Sequence, residues 1–402
     1  MLFFLRLFEI IVRKEYGSKP RCFLSEGRIG WMKVVVVGAG IVGTSTAYHL
    51  ACKGADVFLV DRKDEGQATA AGAGIVCPWL SKRRSVNWYR LARTGTRYYA
   101  TLISQLEEDG ETAVGYARIG ALAVSRDSDE LDAIEERARQ KRKDAPEMGE
   151  ISRLDAQEVQ KLFPPLHEEL SAVHITGAAR VDGRLLSQAL KRSARKRGVK
   201  ECTGEAQLEV SGVGVTGVRV NGEKIRADAV VVAAGAWSAE LLHPFQLKLP
   251  VEPQRGQIVH LRLPGTDTSR WPVVLPESSH YLLAFDDSRI VVGATREDGS
   301  GFDYRVTAGG LEEVFREALS VAPGLADGTV HDIRVGFRPM SLRRLPLIGA
   351  HPHIPGLVVA TGMGPTGLTI GPYAGKLAAG LALGEEPEVD LEPFNPFRTG
   401  GQ

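Results

Sequence analysis

KVVVVGAGIVG, Lys33 to Gly43, sets four valines directly before three glycines at 38, 40 and 43, spaced G-x-G-x-x-G. Four β-branched residues in a row suit a strand covered on both faces, and Ile41, Val42, Ala47, Leu50 and Ala51 recur at helical spacing beyond the turn. The stretch predicts a buried parallel strand turning into a helix. Gly38 is free of the Cβ that would forbid the turn, Gly40 lets a pyrophosphate approach the main chain, and Gly43 lets the helix pack close to the strand. Ala39, Ile41 and Val42 complete the turn, at a helix N-terminus whose free N–H groups and dipole favour an anion. A second strand, Ala55 to Val60, ends in Asp61, 18 residues beyond Gly43, with Arg62 after it. An acid there accepts hydrogen bonds from an adenosine ribose. Strand, helix, strand and acid together predict an α/β, Rossmann-like dinucleotide-binding unit.

Moving outward, 402 residues are enough for a large core and predict more than one domain. With 25% charged residues and a net charge of +1, nothing points to a nucleic-acid surface. The four cysteines, Cys22, Cys52, Cys77 and Cys202, lack C-x-x-C or disulfide spacing and read as reduced thiols of a cytoplasmic protein. Of the nine histidines, His351 and His353 sit close together without a further ligand pattern, so no metal site is expected. Residues 1–31 differ from the rest. Met1 to Val12 is an apolar dodecamer broken by Arg6 and Glu9, too short to span a bilayer. Two readings stand: a peripheral membrane helix, or an extension ahead of a natural start at Met32, which the strand opening at Lys33 favours.

Gly66 to Pro78, GQATAAGAGIVCP, has too few large side chains to build core and suits backbone lying along a flat ligand. Ser85 to Glu108 predicts a helix with Trp88, Leu91, Leu102 and Leu106 on its apolar face, and Ile119 to Val124 a strand. The charge-dense Asp127 to Met148 reads as solvated helix and loop. Asp182 to Gly198 predicts an amphipathic helix, and ADAVVVAAGAW, Ala227 to Trp237, a buried strand ending on small residues, where doubly wound sheets hold ligands. Gln257 to Leu263, His280 to Phe285 and Arg289 to Gly293 are short strands, followed by a helix over Leu311 to Ala322. They predict an inserted mixed or antiparallel sheet. VVATGMGPTGLTIG, Val358 to Gly371, ends a strand on glycines and opens a second helix toward the ligand.

The G-x-G-x-x-G strand with Asp61, then GQATAAGAG, AVVVAAGAW, VEPQRGQI, IVVGATRE, VGFRPM, LPLIG and GMGPTGLTIGP, follow one another from Met32 to Gly384. In that order they resemble the FAD-dependent glycine and D-amino acid oxidase family. FRPMS and the pattern at Gly362 to Thr369 look most like its D-amino acid dehydrogenase branch. The resemblance implies FAD, bound without a covalent link because no cysteine lies around Phe337 to Ser341. It also implies a discontinuous FAD-binding domain, 32–115, 170–248 and 331–402, interrupted by a substrate domain, 116–169 and 249–330.

Residue by residue, the resemblance assigns Gly38, Gly40, Gly43 and Asp61 to the ADP half, and Thr69, Ala70 and Gly74 to the pyrophosphate and flavin. Ala234, Gly235 and Trp237 match a second small-residue turn, and Gly362, Gly364, Gly367, Leu368 and Thr369 the flavin pyrimidine segment. Arg338 matches the arginine that pairs with a substrate carboxylate, a bidentate partnership natural to a planar guanidinium. Tyr281 lies near a tyrosine touching the same carboxylate, and reads equally as a half-buried strand tyrosine. The implied reaction is hydride transfer from an amino acid Cα to flavin N5, giving an imino acid that water converts to a keto acid and ammonia. Sarcosine, glycine, proline or another secondary amine is the alternative substrate, and a non-catalytic FAD-binding subunit the alternative of another class. Oxygen or a quinone as acceptor, and a homo-oligomer, stay open. Two departures stand out. Ser341 to Pro346 reads SLRRLP where the family has an acid and a glycine, which predicts altered charge or loop shape near the ligand. Pro365 and Thr366 replace the basic residue of glycine oxidases, which argues against glycine itself.

Overall fold

The computed structural model describes residues 21–23 and 29–398, and the dodecamer Met1 to Val12 lies outside them. After a short antiparallel pair, Arg21–Phe23 with Ile29–Trp31, come β1 (Lys33–Val37), α1 (Ile41–Cys52) and β2 (Asp56–Asp61), followed by α2 (Val86–Glu108). Then come β3 (Ala121–Ser125), α3 (Ser128–Arg142), β4 (Ile151–Leu154), β5 (Ser171–Ile175), α4 (Gly183–Lys196), β6 (Lys200–Thr203) and β7 (Ala229–Val232). The second half holds β8 (Val251–Arg262), β9 (Val273–Leu275), β10 (Tyr281–Ala284), β11 (Arg289–Gly293) and α5 (Ala308–Val321). It closes with β12 (Thr329–Ser341), β13 (Leu347–Ala350), β14 (Leu357–Thr361) and α6 (Gly367–Ala382).

One sheet runs β6-β2-β1-β7-β14-β13, parallel except at β13. The four valines of β1 divide between its faces. Val34 and Val36 pack under α1, α2, α4 and α6, while Val35 and Val37 pack toward the small antiparallel sheet formed by residues 206–226. A strand apolar on both sides is what a three-layer arrangement demands.

The second sheet runs β12-β8-β11-β10-β9-β3-β5-β4, antiparallel except for the β9–β3 pair. Its membership runs across the expected boundaries at 170 and 331. β5 pairs with β3 and β4, and β12 pairs with β8 along its length, so both strands belong to this sheet. Short apolar runs show that a strand exists but not which sheet it joins. A second correction concerns α3, expected to be merely solvated: Leu131, Ile134 and Ala138 are buried, the first two against Ala123 and Val173. Three apolar residues among many charges still make a stripe.

The two sheets are tied together at Asp182. Its Oδ1 caps α4 by accepting from Arg184 N at 2.9 Å and Leu185 N at 3.2 Å, and its Oδ2 accepts from Arg289 Nη2 of β11 at 2.9 Å. Burial raises the carboxyl pKa, but the cap N–H groups and the Arg289 guanidinium outweigh it and hold the group below the usual aspartate value. Among the described residues no helix is long and apolar enough to cross a membrane.

Replacing Asp182 by alanine removes a cap and strands Arg289, and should cost about 3 kcal/mol or more at pH 7. Because the folded pKa is depressed, this stabilisation is present above the unfolded value of about 4 and fades as pH falls through the folded one. Urea unfolding of both proteins should therefore show a gap that narrows toward pH 3. A gap independent of pH would mean that the charge contributes nothing.

Candidate active site

A cavity of about 640 Å³ runs from the β1 turn to the face of the second sheet. Gly38, Gly40, Ile41, Val42, Asp61 and Arg62 line its first end. Gly38 has φ +103°, and a Cβ there would stand 2.4 Å from the Ala233 carbonyl oxygen. A Cβ on Gly43 would fall 1.8 Å from the Gly38 carbonyl oxygen, so the strand-to-helix contact is closed to any side chain. At Gly40 the nearest obstacle is Thr69 Oγ1 at 3.2 Å, and the residue opens onto the cavity. Its glycine is therefore explained by a ligand and not by the protein's own packing.

Asp61 does more than await a ribose. Its Oδ2 accepts from Ala39 N at 2.6 Å and its Oδ1 from Lys63 N at 2.7 Å and Gln67 Nε2 at 3.0 Å, which ties β2 to the glycine turn. Lone pairs remain for a ligand. Arg62 is engaged by Asp64, Glu205 and Glu240 at the same end. Thr69 Oγ1 accepts the N–H of Ile41 at 2.9 Å, fixing the small-residue run against the start of α1.

Further along, Gly74, Ala234, Gly235, Trp237, Gly364, Gly367 and Leu368 line the cavity. Ala70 does not: its carbonyl faces away and accepts from Arg184 Nε and Arg334 Nη1. Ala39, Gly43, Gly362 and Thr369 also stand behind the wall. Thr369 Oγ1 donates to the Ile75 carbonyl at 3.0 Å, bracing the segment. Spacing places these residues in the right loop, but only packing decides which of two neighbours faces inward.

The far end is built by β8, β10, β11 and β12. Register sets Gln254 opposite Arg338 and Gly256 opposite Gly336. Arg338 Nη1 donates to the Thr295 carbonyl at 3.0 Å and to Gln254 Oε1 at 3.3 Å, while Gln254 Nε2 donates to Asp298 at 2.8 Å. The guanidinium interacts with the Tyr281 phenol, and no carboxylate among the described residues comes within ion-pair distance of it. Burial lowers the pKa of Arg338 and raises that of Tyr281, so the end of the cavity presents a desolvated cation beside a neutral phenol. A cation so placed is suited to an anion brought in from outside.

Three features escaped the sequence. Arg296 and Ser279 line this end, although IVVGATRE carries Arg296 in plain view. Trp237 stacks on Phe302, ring centroids 4.8 Å apart, across a loop with no motif. The arginines of the SLRRLP departure do not line the cavity: Arg343 reaches the carbonyls of Asn395 and Arg398, each at 3.1 Å, and Arg344 holds the turn at φ +56°. Arginine thus occupies a left-handed position where the resemblance sets a glycine.

Gly256 makes a sharp prediction. A Cβ there would lie 2.6 Å from both Nη1 and Nη2 of Arg338. Gly256→Ala should fold and keep its cofactor while displacing the guanidinium, weakening carboxylate affinity about tenfold, the scale of one charged hydrogen bond. Titration of the flavin spectrum with a carboxylate inhibitor checks this, and unchanged affinity would contradict the geometry. Gly40→Val, by contrast, should fold and lose flavin, measured as the absorbance ratio of the purified protein.

Comparison with known proteins gives the chain its place. The family model described as DAO, FAD dependent oxidoreductase, matches residues 33–381. The crystal structure of iminodiacetate oxidase from Chelativorans sp. BNC1 superposes with a TM-score of 0.88 at 51% identity, covering 90% of this chain and 98% of that one. A glycine oxidase of Pseudomonas aeruginosa is 32% identical over 90% of this chain and 98% of its own length. A D-amino acid dehydrogenase of Xylella fastidiosa is 30% identical over 91% of this chain and 95% of its own. A Gly40 that the protein's own packing leaves unexplained, an acid at the end of β2 and an arginine at the far end with no carboxylate partner among the described residues are thus found in a chain that belongs to the DAO family of FAD-dependent oxidoreductases.

Proposed function

We propose that this enzyme oxidises the Cα–N bond of an amino acid held by its α-carboxylate on Arg338. An N-substituted glycine is the first reading and a D-amino acid the second. The observation that carries the proposal is Arg338 itself, a desolvated guanidinium lining the cavity with no carboxylate partner among the described residues. The 51% identity to an iminodiacetate oxidase, a protein named for a secondary amine, supports the first reading. FRPMS and the final glycine segment support the second, together with the 30% identity to a D-amino acid dehydrogenase. Free thiols at Cys52, Cys77 and Cys202 accord with a cytoplasmic placement.

Bound FAD supplies a two-electron acceptor for the hydride leaving the substrate carbon. The protein's part is orientation. The Arg338 fork fixes the carboxylate, Tyr281 stands beside it as a neutral donor, and Ile258, Ala294 and Met363 form apolar walls that keep water off the reacting carbon. The lining carboxylates, Asp61, Asp64, Glu205 and Glu240, all belong to the opposite end. The substrate amine therefore binds neutral, its proton having gone to solvent, because no lining acid is placed to remove it. Loss of the hydride leaves a protonated imine, which water splits into a carbonyl acid and an amine or ammonia with release of a proton to solvent.

Arg338→Lys keeps the charge and loses the fork, and Arg338→Met loses both. The kcat/KM should fall at least about tenfold for lysine and further for methionine, with flavin content unchanged. Flavin loss in both variants would instead make Arg338 a structural brace. Anaerobic bleaching with a panel of N-substituted glycines and D-amino acids separates the two substrate readings.

A further inference from the structure

The charges of the far end do not balance for a substrate with one carboxylate. Two cations line it, Arg338 and Arg296, while the four carboxylates of the cavity wall lie at the adenosine end, three of them engaged with Arg62. The acids nearest in sequence are committed elsewhere. Glu297 pairs with Arg255 at 2.6 Å and accepts from Gln257 at 2.8 Å, and Asp298 accepts from Gln254. Arg296 is exposed toward the cavity, and its contact among the described residues is a 3.5 Å donation to the Ser279 carbonyl. Most of its five N–H donors are therefore unspent.

The backbone makes the placement definite. Tyr281 lies opposite Gly293 in the β10–β11 pair, so Ser279 and Arg296, which continue past these two residues, project from the same end of the hairpin as the carboxylate-binding pair. Arg338 feels the Arg296 charge, which together with the larger effect of burial lowers its pKa. Two like charges facing one cavity repel until a ligand supplies negative charge to both.

We infer that Arg296 is a second anion contact and that the substrate class is an amino acid with a second carboxylate beyond the reacting amine. This rests on the reading of Arg338 given above. The α-carboxylate occupies Arg338, the reacting carbon and nitrogen span the space between, and the distal carboxylate, on the N-substituent or side chain, meets the Arg296 fork. Arg296 is here a specificity determinant and takes no part in hydride or proton transfer.

The test uses the oxidised holoenzyme and two unreactive ether acids that share a skeleton: diglycolate, with two carboxylates, and methoxyacetate, with one. Each is titrated against the flavin absorbance spectrum. Wild type should bind diglycolate about tenfold or more tightly than methoxyacetate, the scale of one charge-assisted contact. Arg296→Gln should erase that advantage and leave methoxyacetate affinity as it was, and Arg296→Lys should restore part of it. Absence of a diacid preference in wild type, or its survival in Arg296→Gln, would overturn the inference while leaving the role of Arg338 standing. Methoxyacetate binding that ignores Arg338→Lys would overturn the reading of Arg338 and this one with it.

Discussion

A guanidinium withdrawn from water with no carboxylate beside it among the described residues is an unfinished interaction, and the far end of the cavity is organised around it. Arg338 is supported by neutral acceptors, Thr295 O and Gln254 Oε1, which satisfy part of its donor fork without cancelling its charge. Had Glu297 reached it, the cation would have been spent inside the protein. Instead Arg255 and Gln257 take Glu297, and Gln254 keeps Asp298 one hydrogen bond away. The result is a cationic pocket whose negative charge must come from a ligand.

The same strand that carries Arg338 joins the two halves of the molecule. β12 pairs with β8 in the second sheet, and Phe337 N donates to Gly66 O of the small-residue run at 2.8 Å. Met340 bridges to Met363, next to the start of the final glycine segment. Arg338, proposed to bind the carboxylate, is thus positioned by the backbone that also shapes the cavity. Gly336, Phe337 and Arg338 line the cavity together. Asp182 adds a second tie through Arg289, so the distance from glycine turn to arginine is held at two points.

Much of this was legible in the chain. β1, the turn and β2 follow from valines, glycines and a terminal acid, since each has one physical use in that order. Arg338 was found through the family likeness of GFRP, and Trp237 through the small-residue turn. Arg296 carries no such signal in IVVGATRE, because an arginine just beyond a strand is ordinarily a solvated side chain. Its position in the cavity wall depends on the β10–β11 pairing. The SLRRLP segment misled because a change of charge was visible, whereas the direction of Arg343, toward the C-terminal carbonyls, was not.

By itself the sequence determined the dinucleotide fold, and its likeness to a known family supplied FAD and the proposal of Arg338 for a carboxylate. These depend on local backbone demands and on residue types with few substitutes. Tertiary structure alone decided sheet membership of β5 and β12, the inward or outward face of Thr69 and Ala70, and the isolation of Arg338 and Arg296 from acids among the described residues. Those outcomes turn on hydrogen-bond register and on which long side chain reaches which partner. Both are properties of residues far apart in the chain, which no local pattern encodes.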